Sequence, residues 1–170
     1  MTTLNKIILR TAVEGLVWTV IAFCYGLGIF AMCFPGSMAQ FYDLAGNTKL
    51  SAMYYGRVYD RSSTNQNLFF ALSKSIEAHN NNATIKYGNI WFFGSIDDSA
   101  RNLLTSDVDD YLTEGLSQDS KEYKALTAYN TDFRLRRGYI VALMEKGKDY
   151  QMFLDNCPNK DLLSESLNLN

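Results

Sequence analysis

From Gly15 to Phe34 the chain runs through twenty residues without a charge, GLVWTVIAFCYGLGIFAMCF; beyond Ser37, apolar residues recur at helical spacing among polar ones. A helix of about twenty residues spans roughly 30 Å, the hydrocarbon thickness of a bilayer, so the run predicts a transmembrane helix. Lys6 and Arg10 precede it and the next positive charge is Lys49. The positive-inside rule then keeps the N-terminus in the cytoplasm and puts the rest of the chain outside the cell membrane. The rival reading is a signal peptide cut after Ser37-Met38-Ala39, but an h-region normally holds about 7–15 residues, fewer than this run. The small pair Ala22 and Gly26 has the spacing that lets two membrane helices approach, which allows a homo-oligomer through this segment.

After Pro35-Gly36 the pattern predicts helices only. Ser37 reads as an N-cap, with Gln40 as its capping-box partner, and Gly46-Asn47 as the turn that follows. Leu50, Tyr54, Val58 and Arg61 form one stripe, and Leu68, Phe69, Leu72 and Ile76 the next. Ser62–Asn65 and His79–Asn82 separate these stripes from each other and from the helix of Ile85, Ile90, Trp91 and Phe93. A short piece around Leu103-Leu104 follows, then a new helix opening at Ser106, a break at Gly115 to Ser120, and a helix marked by Tyr123, Leu126 and Tyr129. Phe133 to Met144 is a strong helix, and a last one covers about Asp149 to Asn156 before Pro158. No alternating pattern argues for a strand, so the expected fold class is all-α. The expected organisation is a cytoplasmic N-terminus and transmembrane helix over 1–34, a helical domain over 35–157 and a polar C-terminal tail over 158–170.

The turns at Gly46, His79, Gly115 and Gly147 lie 33, 36 and 32 residues apart. A period near 34 is that of a helical solenoid. The stretch FYDLAGNTKLSAMYYGRVYDRSS, Phe41–Ser63, carries a Gly-Asn turn, a small residue at Ser51 and an aromatic at Tyr55. Weaker echoes run over Glu77–Phe93, with Thr84 small, and over Ile140–Phe153. In these features the chain resembles the tetratricopeptide repeat (TPR) family. The resemblance implies an α-solenoid of antiparallel helix pairs in which Tyr55 fills the core between helices. It also implies that the first helix of each pair lines a concave groove. Counted back from the turns, the groove positions are Gln66, Phe69, Ser73, Ile76, Arg134, Arg137 and Val141. Two guanidiniums beside apolar patches suit a peptide carrying a carboxylate, because arginine offers a bidentate fork.

Of the 16 basic and 18 acidic residues, only Lys6, Arg10 and Glu14 precede Pro35, so the remainder carries a net charge of −3. Without a basic block to track phosphates, nucleic acid is not the expected partner. Cys157 is the lone cysteine after the apolar run, which excludes a disulfide framework there. The single histidine, His79, falls at a turn, and a metal site needs three or four convergent ligands. Asp107, Asp109 and Asp110 lack the Gly and Glu an EF-hand loop needs; they read as first-turn carboxylates favouring a helix dipole, as do Asp97-Asp98. Asn82-Ala83-Thr84 spells a glycosylation sequon and equally an Asn-rich turn. No cofactor and no catalytic group is implied. The expected function is a membrane-anchored helical-repeat scaffold that recruits a protein or peptide partner. The alternatives are a structural or accessory subunit of a larger membrane complex and a cell-envelope enzyme factor.

Overall fold

The computed structural model describes the backbone over residues 3–169 and side chains over residues 11–169; the charges of Lys6 and Arg10, on which the orientation rests, lie outside the described side chains. All regular structure among the described residues is α-helix: α1 Thr3–Cys33, α2 Pro35–Leu44, α3 Thr48–Arg61, α4 Asn65–Glu77, α5 Asn81–Phe93, α6 Asp98–Thr113, α7 Lys121–Ala128, α8 Thr131–Glu145, α9 Gln151–Asp155 and α10 Lys160–Ser166. Within α1, Thr11–Cys33 is long and apolar enough to cross a membrane, and the body of the protein buries none of its side chains. Pro35 does more than end that helix. It opens α2 at the first helical position, where its missing N–H costs nothing, so Phe34 and not Ser37 stands at the N-cap.

α2 packs on α3, α3 on α4 and α4 on α5, and α5 then packs on α8. The connections explain the sharp reversals. At Gly46 (φ 70°) the Asn47 N–H reaches back to the Tyr42 carbonyl and the Gly46 N–H to Asp43, a Schellman turn. At His79 (φ 51°) the same two bonds recur, Asn80 to Ser75 and His79 to Ile76. In both turns the following asparagine caps the next helix, Asn47 at 3.1 Å from the Leu50 N–H and Asn80 at 3.3 Å from the Ala83 N–H. Ser51 and Thr84, the small positions, are both buried. The Ser51 hydroxyl donates to Asp43 Oδ1, and that of Thr84 to Ser75 Oγ.

Two apolar clusters fill the body. One holds Leu68, Phe69, Leu72, Tyr87, Trp91 and Leu135. The other holds Ile85, Phe133, Tyr139, Ile140, Leu143, Phe153, Leu154 and Leu163. Three expectations are corrected. Tyr54 is the core ring of α3, while Tyr55 is half-buried and stacks on Phe70, since one residue along a helix turns the side chain by about 100°. Residues 98–113 form one helix, so Asp107, Asp109 and Asp110 sit in its C-terminal half and not in a first turn; Asp97 is the residue that caps it. Past Pro158 the chain is not a tail: α10 buries Leu163 completely, and Leu162, Leu167 and Leu169 pack beside it.

Candidate functional site: a cleft between α4, α6 and α8

The apolar stripe of α4 is only partly covered by its neighbours. Phe69, Ser73 and Ile76 recur at helical spacing and face a cleft of about 460 Å³. Thr131, Arg134 and Leu135 border it from α8, and Val108 and Leu112 from α6. The walls are mainly apolar, with Lys74, Glu77 and Arg134 as their charged members.

Lys74 is already committed, at 2.8 Å from Asp43 and 3.0 Å from Glu77. Burial alone lowers its pKa, but the two carboxylates outweigh it and hold the ammonium above its ordinary value. Arg134 is less tied. Its Nη2 donates to Thr131 Oγ1 at 3.2 Å and lies 3.6 Å from Asp109 Oδ1, while its side chain is about half exposed. Both contacts use Nη2, which leaves Nε and Nη1 able to donate to a ligand.

Four of the seven expected groove residues thus meet at one cleft: Phe69, Ser73, Ile76 and Arg134. Gln66 is exposed in the first turn of α4, away from it. Val141 is half-buried elsewhere on α8. Arg137 does not share the cleft with Arg134: its Nη2 donates to the Ser166 carbonyl at 3.3 Å, at the end of α10. Three residues of helix separate two side chains by about 60° in rotation, enough here to carry the second past the helix edge. An acid does reach Arg134 from another helix, Asp109 of α6. Val108 and Leu112 escaped the sequence reading because α6 was divided at Ser106; as one helix, their i,i+4 spacing marks an apolar stripe.

A second polar cluster sits where α5, α8 and α9 meet. Arg136 lies 5.2 Å from the Phe92 ring centre, donates to Asp132 at 2.7 Å and to Cys157 Sγ at 3.8 Å. Burial opposes its charge, yet these partners hold its pKa above the ordinary value. Burial raises the Cys157 thiol despite that guanidinium, so the sulfur stays protonated and acts as a small apolar group. Among the described residues no three His, Cys, Asp or Glu side chains are grouped to hold a metal ion.

Compared with protein-family models, curated proteins and solved structures, the chain matches none.

Proposed function

We propose that this protein is a membrane-tethered docking protein of TPR-like build, an α-solenoid of antiparallel helix pairs whose cleft between α4, α6 and α8 holds a peptide segment of a protein partner. The observation that carries the reading is the cleft itself: Phe69, Ile76, Val108 and Leu135 offer apolar contact beside Arg134, whose guanidinium keeps two donor nitrogens uncommitted. An apolar side chain of the peptide enters the cleft while an acidic side chain or a C-terminal carboxylate meets Arg134. The solenoid reading is supported by the repeated turn at Gly46 and His79, with its asparagine cap and its small buried residue, at an offset of 33 residues.

The tether is α1, a single span of the cell membrane with the N-terminus inside and the helical body outside. Cleavage after Ala39 fits poorly, because Pro35 and Ala39 are buried in α2 and would leave with the cut segment. Tethering raises the local concentration of the cleft, so modest affinity suffices. The test is recovery of the partner from mild detergent by the wild-type protein and by Ile76→Glu and Arg134→Ala. Loss with both variants supports the cleft, and equal recovery by all three removes it.

A second reading, an accessory subunit of a larger membrane complex, draws on α6, where Leu103 and Tyr111 stand exposed. It requires a stoichiometric assembly of fixed size in native gels, insensitive to Arg134→Ala.

A further inference from the structure

No free linker separates the membrane-spanning segment from the body. Phe34 alone lies between α1 and α2, and hydrogen bonds continue across it, from the Phe34 N–H to the Phe30 carbonyl and from the Met38 N–H to the Phe34 carbonyl. Pro35 and Ala39 of α2 are buried, and α2 packs on α3. Arg61, the last residue of α3, donates from Nη1 to the Cys33 carbonyl at 3.3 Å. The end of α3 is therefore tied to the end of α1, where the apolar segment stops.

That tie distinguishes the two ends of the helical body. Ser62–Thr64 turn the chain from α3 into α4 beside Arg61. At the opposite end, Lys49, His79 and Lys146 line one cavity, which gathers the starts of α3 and α5 and the end of α8. α5 runs back from there, passes Tyr59 with its Tyr87 ring at 5.7 Å, and ends at Phe93, 60% exposed. Phe34 (55% exposed), Arg61 and Phe93 are thus brought to the α1 side of the body.

We infer that this end of the body, marked by Arg61, Ser63 and Phe93, rests on the lipid headgroups, with the turns at Gly46 and His79 facing away from the bilayer. The inference depends on α1 spanning the membrane. Its chemistry fits the interface: aromatic rings suit the boundary below the phosphates, and an exposed guanidinium suits the phosphates themselves. The protein is then held in one pose over the membrane and is not a body swinging on a string.

The test uses the full chain in phosphatidylcholine–phosphatidylglycerol vesicles, with Cys24→Ser and Cys33→Ser as background and the buried Cys157 left in place. A fluorophore is attached singly at Ser63→Cys or Ser95→Cys on the near face and at Lys49→Cys or Asn82→Cys on the far face. Lipids spin-labelled at the headgroup are the quencher. Both near-face labels are expected to be quenched several-fold more strongly than both far-face labels. A fifth label at Leu27→Cys, read with lipids spin-labelled on the acyl chain, reports insertion of α1. Equal or reversed quenching of the two faces with Leu27→Cys quenched overturns the pose and leaves the span standing. An unquenched Leu27→Cys removes the span and the pose together.

Discussion

Asp109 caps a helix that is not its own: its Oδ1 accepts the backbone N–H of Thr131 at 2.8 Å and the Thr131 hydroxyl at 2.7 Å. The carboxylate lies late in α6, where the dipole of that helix repels it, and it is compensated by the N-terminus of α8. The pair fixes α6 against α8 along one wall of the cleft. Replacing Asp109 with Ala is expected to cost about 2 kcal/mol, since it removes two charge-assisted bonds and leaves the N–H of the buried Thr131 without a partner. Asp109→Asn keeps the acceptor and is expected to cost about 1 kcal/mol or less. Urea unfolding in mild detergent, followed by circular dichroism, separates the two; equal losses would show that charge, not the cap, is what matters.

Tyr54 and Tyr55 are expected to part sharply. Tyr54 is buried, stacks on Tyr42 at 5.6 Å and carries Arg57 over its ring at 5.0 Å. Tyr54→Ala should cost about 3–4 kcal/mol and Tyr55→Ala about 1–2. The reverse order, measured by the same unfolding, would restore the register implied by the repeat resemblance.

These cases show where the sequence was legible. The turns at Gly46, His79 and Gly147 were readable because glycine, histidine before asparagine, and polar clusters have local reasons to reverse a helix. The stripe of Leu68, Phe69, Leu72 and Ile76 was readable from helical spacing, whereas Ser73 joined Phe69 and Ile76 only through the repeat resemblance. The partner of Asp109 was not, since Thr131 lies 22 residues on and only the packing of α6 on α8 brings it near. Tyr54 and Tyr55 are neighbours of the same type, and composition offers no way to choose between them. Leu163 looked like part of a polar tail because the helix that buries it is only seven residues long.

Gly88, in the middle of α5, was equally opaque. In the structure a β-carbon there would overlap the Tyr139 ring, so α5 and α8 touch through the glycine itself. Tyr139 is held in place by its hydroxyl bond to Asn89, also on α5, and by Phe153 at 5.0 Å between ring centres. Gly88→Ala should therefore destabilise by about 2 kcal/mol, although alanine is the better helix former. Adding Tyr139→Leu should recover part of that loss; a double mutant no better than the sum of the two singles would place the strain elsewhere.

The mature protein is expected to keep its first residues. A start at Gln40 would leave α2 with five residues and no buried proline or alanine against α3. Mass spectrometry of the membrane-bound protein reads the N-terminus directly. A first residue at Gln40 would make the apolar run a signal peptide and the body a secreted protein.

Alkaline pH is expected to unfold the body cooperatively. Burial raises the pKa of Tyr55, Tyr87 and Tyr139 above the ordinary 10.0, and the carboxylates of Asp43 and Glu77 outweigh burial to raise that of Lys74 above 10.5. Each group has a folded value above its unfolded one. Its contribution is therefore complete below the unfolded value and is lost as pH rises towards and through the folded value. Stability from these groups should be flat from neutrality to about pH 9 and fall beyond it. Urea midpoints measured across this range should decline as the unfolded chain gives up protons that the folded one retains. Tyr139→Phe should make the decline shallower, because one proton leaves the linkage. Tyrosinate absorbance provides the check: of the chain's 11 tyrosines, these three should ionise at higher pH than an open ring, so that part of the absorbance change lags behind the rest. Full ionisation near 10.0 with helix intact would mean that the three rings are open to water and that α3, α5 and α8 do not pack around them.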